Sequence, residues 1–344
     1  MIYLGIDYHK NYSYCTALND SGQEKIDFKV SNTRECYQKM ISKLGTPCHA
    51  VVETTYNWTV PYSMLEELGV KVKLANSAKL RVIAESQIKT DAKDSYILAE
   101  LLRSNLIPEV FVPPKKVLQV KNILRHRLFL VRLKTQIKNR IHILLMRNHI
   151  KNPGLSDLFG KKGRRFLDNI KIKEPDSTLL AKHLNALDYI SQEIYSTEAL
   201  LGKYLKNNEY SKLLQTIPGF GKTLSALVAL EICDIKRFRN PSKLSAYAGL
   251  VPSTHASGGH IFHGHLLRGA NKYLRWAFIE AAWKSQVASP YCRALYYRIR
   301  KKRGPNVAIV ALARRLSEIV YKILRDKRAY EERTHLTQYY SMNS

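Results

Sequence analysis

The chain of 344 residues carries 56 Lys and Arg against 28 Asp and Glu, which gives a formal charge of +28 at pH 7. Its hydrophobic content of 45% supplies apolar material for two or three domains and excludes a wholly disordered chain. No apolar run approaches the roughly 18 residues of a membrane span, and five scattered cysteines form no CxxC pair. Asp7 lies where a signal peptide needs apolar residues. We therefore expect a cytoplasmic protein that has polyanionic partners and does not associate with a membrane.

The first part of the chain reads as an α/β domain over 1–112, closed by Pro113-Pro114. Three short strands come first, and strands and helices then alternate. The predicted strands are 3–7, 14–19, 25–30, 49–53 and 71–74, and the predicted helices are 33–44 (capped by Ser31 or Asn32), 58–68 and 91–103.

Two long helices are predicted next, within a region spanning 113–208. One runs from Val117 to about His149, and the other starts at the N-cap candidate pair Asp176-Ser177. Their narrow apolar seams favour an antiparallel hairpin or coiled coil suited to oligomerisation, with an ordinary helical subdomain as the alternative. A third unit over 209–344 is predicted to be helical and basic.

The positive charge is concentrated. Residues 110–156 contain no Asp or Glu and eleven Lys or Arg, and residues 261–335 contain seventeen basic residues against five acidic ones. So many cations without a counter-charge repel one another unless an anion neutralises them, so this pattern predicts nucleic-acid contact.

Four acids in the first domain stand out by position. Asp7 lies on the first strand, Glu53 ends a later strand, and Asp91 and Asp94 share one helix face at a spacing of three. Buried strand-end carboxylates are costly unless a cation is near, and such oxygen ligands suit Mg²⁺ or Mn²⁺. Two such ions assist in-line phosphoryl transfer. The alternative interpretation of each acid, taken singly, is an ordinary helix cap, surface group or loop residue.

A glycine-rich segment in the third unit predicts two helices joined by a tight hairpin. The residues are Ile217-Pro218-Gly219-Phe220-Gly221 followed by Lys222-Thr223. Such a hairpin offers backbone N–H groups to a phosphate without reading sequence. It is not a P-loop, because Thr216 stands where the first glycine is required and a helix precedes it.

Ser257 lies further on, before Gly258-Gly259. This pattern is typical of a turn; its functional interpretation is a nucleophile on a mobile loop. Nearby histidines are candidates for a general base, a phosphate contact or a metal ligand, although no Cys or acid accompanies them at a zinc-like spacing. These are His255, His260, His263 and His265. Residues 268–275 then begin a helix with Arg268 and Arg275 as phosphate-binding candidates.

Five segments in order resemble the DEDD-type transposases of bacterial insertion sequences, a family that includes the Piv-type DNA invertases. The segments are Gly5-Ile6-Asp7-Tyr8-His9-Lys10, Val52-Glu53-Thr54-Thr55, Lys89-Thr90-Asp91-Ala92-Lys93-Asp94, Ile217-Pro218-Gly219-Phe220-Gly221, and Gly249-Leu250-Val251-Pro252 with Ser257-Gly258. The resemblance covers nearly the whole chain. Tyr56, Ser95 and Ala270 depart from residues common in the family.

The resemblance implies a RuvC-like (ribonuclease H-like) domain and a C-terminal transposase domain joined by a coiled coil. The transposase domain corresponds to the predicted helical unit with its helix-hairpin-helix. It implies that Asp7, Glu53, Asp91 and Asp94 hold the metal, and that Ser257 attacks DNA to form a phosphoserine link. The implied partners are donor and target DNA, a structured bridge RNA and further copies of the chain, in a dimer or tetramer. Separately from these implied roles, the candidates for nucleic-acid contact are Lys10, Arg125, Arg127, Lys138, Arg140, Gly219, Gly221, Lys222, Arg268, Lys272 and Arg275.

Two other functions remain open from the residues. One is a metal-dependent nuclease or Holliday-junction resolvase in which water is the nucleophile and Ser257 is only a turn residue. The other is a nucleic-acid-binding protein without catalysis.

Overall fold

The computed structural model describes residues 1–23, 25–45, 47–55, 57–83, 90–257, 260–267 and 269–332. The chain folds as two compact units, Met1–Pro113 and Pro114–Ser344. No helix in the described ranges has the length and apolar character to cross a membrane.

The first unit is built on a five-stranded mixed sheet with the order β3-β2-β1-β4-β5. Strands β1, β2 and β3 are antiparallel neighbours, while β4 and β5 run parallel to β1. The strands are β1 (Ile2–Tyr8), β2 (Tyr12–Leu18), β3 (Lys25–Ser31), β4 (Cys48–Glu53) and β5 (Lys71–Ala75), and the helices are α1 (Arg34–Leu44), α2 (Thr59–Glu67), α3 (Ser77–Ile83) and α4 (Asp91–Arg103).

Helices cover both faces of this sheet. Successive strand residues point to opposite faces, so β1 supplies both layers. Leu4 and Ile6 pack in a core with Tyr37 and Met40 of α1. On the other face, Val51 of β4 lies in a core with the apolar side of α4.

Gly5 allows α4 to lie directly on β1. A Cβ atom at this position would lie 2.0 Å from the carbonyl oxygen of Ser95 and 2.4 Å from the amide nitrogen of Ala99. The Ser95 hydroxyl, fully buried, is 2.7 Å from the hydroxyl of Thr16 on the neighbouring strand β2. A residue without a side chain therefore sets the distance between the first strand and the helix that carries Asp91.

The second unit begins with two long antiparallel helices, α5 (Lys115–Arg147) and α7 (Asp176–Leu205). Arg127 near the middle of α5 pairs with Glu198 near the end of α7, whereas Arg147 at the end of α5 pairs with Asp176 at the start of α7. A core closes their far end with the short helix α6 (Lys161–Asn169). The prediction of two long packed helices is confirmed.

The remainder of the second unit is mostly helical. Its core joins the first half of α5 to helices that carry Leu227, Phe278 and Leu316. These elements are α8 (Glu209–Leu214), α9 (Lys222–Ile232), a 3-10 turn (Ile235–Arg237), α10 (Pro241–Tyr247), α11 (Lys272–Ala288), α12 (Pro290–Arg303) and α13 (Pro305–Asp326).

The segment predicted as a loop around Ser257 contains two antiparallel strands instead. Strand β6 (Pro252–Ser257) pairs with β7 (His260–Leu266), and Ser257 is opposite His260. The sequence contains a strand signal here, because Thr254, Ile261 and Phe262 belong to residue types that favour strands. The prediction gave more weight to the Ser-Gly-Gly turn pattern.

Two predicted helix caps are wrong in detail. Thr33 caps α1, in place of Ser31 or Asn32, by accepting from the amide of Cys36. Asp176 is the first residue of α7 and forms no cap, because its carboxylate is bound by Arg147 and Asn148. Helix α4, by contrast, has the predicted bounds.

Candidate active site and nucleic-acid surface

Two of the predicted acids are brought together by the parallel pairing of β1 and β4. Ile6 is paired with Val52, so the following residues, Asp7 and Glu53, are neighbours near the carboxyl ends of their strands. Asp7 is two residues beyond Gly5 and therefore points to the sheet face that α4 covers.

The other two acids lie in the first turn of α4. Thr90 caps the helix by accepting from the amide of Lys93 at 3.3 Å, so Asp91 and Asp94 lie where the helix dipole favours negative charge. The close contact at Gly5 then places this helix end beside β1. The N-cap role considered for Asp91 is filled by Thr90, which leaves the Asp91 carboxylate available for other contacts.

His9 completes the group. Its Nε2 atom lies 3.1 Å from Oδ2 of Asp7 and 3.3 Å from Oδ2 of Asp91. One ligand atom from each of these three residues lies within 4.8 Å of the others. Tyr12 donates its hydroxyl to Oδ2 of Asp91 at 2.9 Å, and its ring lies against the ring of His9. The ring of His9 is thereby held between the two aspartates.

Electrostatics around Asp7 are unfavourable for a bare carboxylate. Burial raises the pKa of Asp7, and the carboxylates of Asp94, Asp91 and Glu53 raise it further, while His9 acts in the opposite direction. The other three predicted acids are thus close enough to influence the charge on Asp7. A cation at this point would relieve both the burial and the repulsion.

The atoms present fit a divalent metal ion. His9 Nε2 is buried and makes no hydrogen bond to a described residue, although two carboxylate oxygens lie near it. Nitrogen and oxygen atoms that converge on one point without forming hydrogen bonds to each other are typical of the ligands of a metal ion. The candidate group is Asp7, His9 and Asp91; Glu53 and Asp94 lie outside it among the described residues.

The sequence prediction missed His9 as a site residue. His9 is part of the quoted segment Asp7-Tyr8-His9, but it lies just beyond the last residue of β1, Tyr8, so strand alternation does not assign its direction. The signal that sequence offers is a metal-binding residue type directly after the strand that carries Asp7.

On α5, part of the predicted nucleic-acid surface is bound internally. Arg125 donates to Glu231 at 2.8 Å, and Arg127 donates to Glu198 at 2.7 Å. Arg140 is exposed, and Lys138 lies over the ring of Phe159 at 4.6 Å. Acids distant in sequence therefore neutralise part of the stretch that contains no acid of its own.

Among the remaining candidates, Gly219 and Arg275 face the protein. A Cβ at Gly219 would lie 2.6 Å from the amide of Ser285, and Arg275 donates to the carbonyl of Leu267. Lys10, Lys222 and Lys272 are exposed, and Gly221 caps α9 without a side chain. Arg268 lies outside the described residues. Ser257 is placed by its backbone at the end of β6, and its side chain is likewise outside the described part.

The first unit has a five-stranded mixed sheet of the ribonuclease H type, with a strand Asp beside a helix-borne Asp and a histidine. These features define a DEDD nuclease-like domain, and a helical domain follows it. Two family models match the chain in order. One is described as a DEDD transposase model of IS110 and covers residues 4–150, and the other as "Transposase IS116/IS110/IS902 family" and covers residues 211–297. The chain belongs to the IS110/IS116/IS902 family of transposases, and its N-terminal unit carries the family's DEDD domain.

Two curated relatives align with this chain over nearly its whole length, and a third aligns with less than half of it. The chain is 27% identical to the "Transposase for insertion sequence element IS1111A" of Coxiella burnetii, with 95% of this chain and 90% of the relative aligned. It is 24% identical to an IS110 43.6 kDa protein of Streptomyces coelicolor, over 96% of each chain. A pilin gene-inverting protein of Moraxella bovis is 30% identical over 43% of this chain and 47% of its own length.

Proposed function

We propose that this transposase cuts and rejoins DNA through a covalent Ser257–phosphodiester link, assisted by a divalent metal at the DEDD site. The observation that carries the proposal is the convergence of Asp7, His9 and Asp91 at the contact of β1 with α4. We propose Mg²⁺ or Mn²⁺ as the ion, since carboxylate oxygens predominate among the candidate ligands.

In this proposal each residue has a defined task. Asp7 and Asp91 supply carboxylate oxygens, Glu53 and Asp94 add negative charge around them, and Tyr12 holds Asp91 by its hydrogen bond. A bound divalent cation offsets the charge that builds on phosphate oxygens during displacement. The Ser257 hydroxyl oxygen bonds to phosphorus as the bond from phosphorus to one DNA oxygen breaks, and the proton that the serine gives up is matched by the proton that the leaving oxygen takes up. One phosphodiester replaces another, so rejoining requires no ATP.

The test uses labelled DNA carrying an element end, incubated with Mg²⁺ or Mn²⁺ and separated on a denaturing gel. The wild type is expected to give a DNA-linked protein band, while Ser257→Ala and Asp7→Ala give none. Ser253→Ala, on the same strand β6, is the matched control and is expected to keep the band.

The alternatives predict other patterns. Cut DNA without any protein link, unaffected by Ser257→Ala, would show a nuclease or junction resolvase that uses water. A protein whose action in cells survives Asp7→Ala would be a non-catalytic binder.

A structured bridge RNA is the second proposed partner, beside donor and target DNA. Exposed cations of the acid-free stretch, including Arg132 and Arg140, support it, because one duplex needs fewer contacts than the whole surface offers. We expect a discrete element-encoded RNA to copurify with the protein. Random cellular RNA in its place would contradict this proposal.

The proposed oligomer is a dimer or tetramer formed through the α5–α7 pair as a coiled coil. Exposed apolar side chains on these helices support it: Met146 is 75% exposed and Tyr195 is 76% exposed. Light scattering of the purified protein is expected to give two or four chains. A monomer at micromolar concentration would contradict it.

A further inference from the structure

Glu231 is an acid buried in the middle of the helical domain. It is 2% exposed and accepts from three side chains. Lys121 Nζ lies 2.9 Å away and Arg125 Nη2 lies 2.8 Å away, both from α5. Asn271, which caps α11, donates its Nδ2 at 2.9 Å. A single carboxylate on α9 therefore connects the long basic helix to the start of α11.

The contact with Glu231 fixes the orientation of the Asn271 amide. A carboxylate only accepts, so the Nδ2 group of Asn271 must face it. The Oδ1 atom then faces the helix and accepts from the amides of Tyr273 at 3.0 Å and Leu274 at 3.1 Å. The backbone amide of Asn271 also donates to the carbonyl of Tyr247 at 2.9 Å.

The start of α11 in turn lies against the base of the β6–β7 strand pair, where β6 begins and β7 ends. Arg275 donates to the carbonyl of Leu267, whose amide donates to Val251 at 3.2 Å across the base of the pair. On the other side, a Cβ at Gly249 would lie 2.2 Å from Nη2 of Arg275. Movement at the start of α11 would therefore be transmitted to the strand that ends at Ser257.

The charge on Glu231 is retained in spite of its burial. Burial by itself would raise the pKa of Glu231, but Lys121, Arg125 and the hydrogen bond from Asn271 together outweigh it and lower that pKa. Arg125 additionally lies over the ring of Tyr273 at 4.5 Å. Buried ion pairs often contribute little net stability compared with apolar residues, so orientation of neighbouring groups is the clearer benefit of this one.

We propose that Glu231 is a positioning residue for the DNA-joining step, acting through Asn271 on the β6–β7 pair. This rests on the proposed role of Ser257 in the preceding section. Glu231 does not contact the reacting atoms; it orients the amide that caps α11.

A reciprocal exchange of the two side chains tests the contact. Asn271→Asp places a second carboxylate against Glu231, and we expect the rate of Ser257–DNA link formation at saturating DNA to fall about tenfold or more. The double variant E231Q/N271D has the net charge of the wild type. The glutamine amide donates to the new aspartate, and Lys121, which shares Oε2 of Glu231 with Asn271 in the wild type, donates to that aspartate instead, so most of the rate is expected to return. DNA affinity should change little in either variant. Glu318→Gln, which removes an acid from two arginines on α13, is the control.

Hydrogen exchange at Tyr273 and Leu274 provides a readout that does not depend on the serine. Both amides should exchange faster in Asn271→Asp and slow again in the double variant. If Asn271→Asp fails to fold, Glu231→Gln alone carries the test and is expected to slow linking at unchanged DNA affinity.

The inference is wrong if the folded variants link DNA at the wild-type rate, or if E231Q/N271D is no better than Asn271→Asp. Persistence of the link in Ser257→Ala is a separate result. It would refute the serine proposal, while the exchange rates would still decide whether Glu231 orients Asn271.

Discussion

At the scale of single residues, Gly5 determines how near α4 comes to β1. The strand face that holds Gly5 also holds Asp7, and the contact at Ser95 and Ala99 leaves no room for a methyl group. The distance between Asp7 and Asp91 therefore depends on a residue with no functional group of its own.

Gly5→Ala is expected to lower the free energy of unfolding by about 1–3 kcal/mol, because overpacking forces the strand and helix apart. Metal-dependent DNA cleavage should fall further than this loss of stability explains, since Asp91 moves away from Asp7. Denaturant unfolding and cleavage at a temperature where the variant stays folded measure the two effects.

Gly202→Ala is the matched control for Gly5→Ala. Among the described residues, no atom beyond the local backbone of α7 lies within 4 Å of the Cβ position at Gly202. Alanine there should change stability by no more than about 1 kcal/mol, and in the favourable direction. Equal cleavage by Gly5→Ala and the wild type would show that the close contact does not set the site.

At the scale of elements, ion pairs hold the α5–α7 helices together at both ends of their contact. Asp176 accepts from Asn148 at 2.6 Å and from Nε of Arg147 at 3.1 Å. The hydrogen bond from Asn148 lowers the pKa of Asp176, against an opposing effect of burial, and Arg147 lowers it further.

Because the pKa of Asp176 is lower in the folded state, its ionised form stabilises the fold above the unfolded pKa of about 4. This contribution is lost as the pH falls through the lowered folded value. We expect Asp176→Asn to melt at a lower temperature than the wild type at pH 7, with the difference shrinking below about pH 4. Thermal melts followed by circular dichroism across this range measure the difference.

The control for Asp176 is Glu209→Gln. The carboxylate of Glu209 is exposed and lies 3.7 Å from Lys327, so its replacement should alter the melt little at any pH. A difference for Asp176→Asn that stayed constant from pH 7 to pH 3 would contradict the assignment.

Elements that depend on local periodicity were predictable. Helix α4 follows from its cap residue and apolar stripe, and the strands of the first unit follow from short apolar runs bounded by turn residues. The positions of Asp7, Glu53, Asp91 and Asp94 near the end or start of such elements were predictable in this way.

Contacts between distant parts of the chain were not predictable. Arg125 and Glu231 are 106 positions apart, so nothing local marks the arginine as paired. Arg275 was interpreted as a phosphate contact, although it binds the carbonyl of Leu267. A basic side chain has the same local pattern whether its partner is a phosphate or a buried carboxylate, and only the fold distinguishes the two.

At the scale of the whole molecule, these internal pairs reduce the charge available to nucleic acid. Among the described residues, at least four of the eleven cations in 110–156 have carboxylate partners, namely Lys121, Arg125, Arg127 and Arg147. The formal charge of +28 already includes those acids, so the excess itself is unchanged. What changes is its location, which shifts toward cations such as Arg132 and Arg140.

This distribution predicts which residues govern salt dependence. Each cation that neutralises a phosphate contributes about one unit to the slope of log affinity against log salt concentration. Arg132→Gln and Arg140→Gln should each reduce the slope for mixed-sequence duplex DNA by about one, since neither arginine has a carboxylate partner among the described residues.

Arg127→Gln is the matched control on the same helix, because Glu198 already holds its guanidinium by two hydrogen bonds. Its slope should equal that of the wild type, measured by fluorescence anisotropy from 50 to 300 mM salt, a range of roughly sixfold over which the electrostatic contribution changes strongly. An equal loss of slope in all three variants would mean that Arg127 leaves Glu198 to bind phosphate. The Arg127–Glu198 pair would then be exchanged on binding, and Arg127 would count toward the nucleic-acid surface after all.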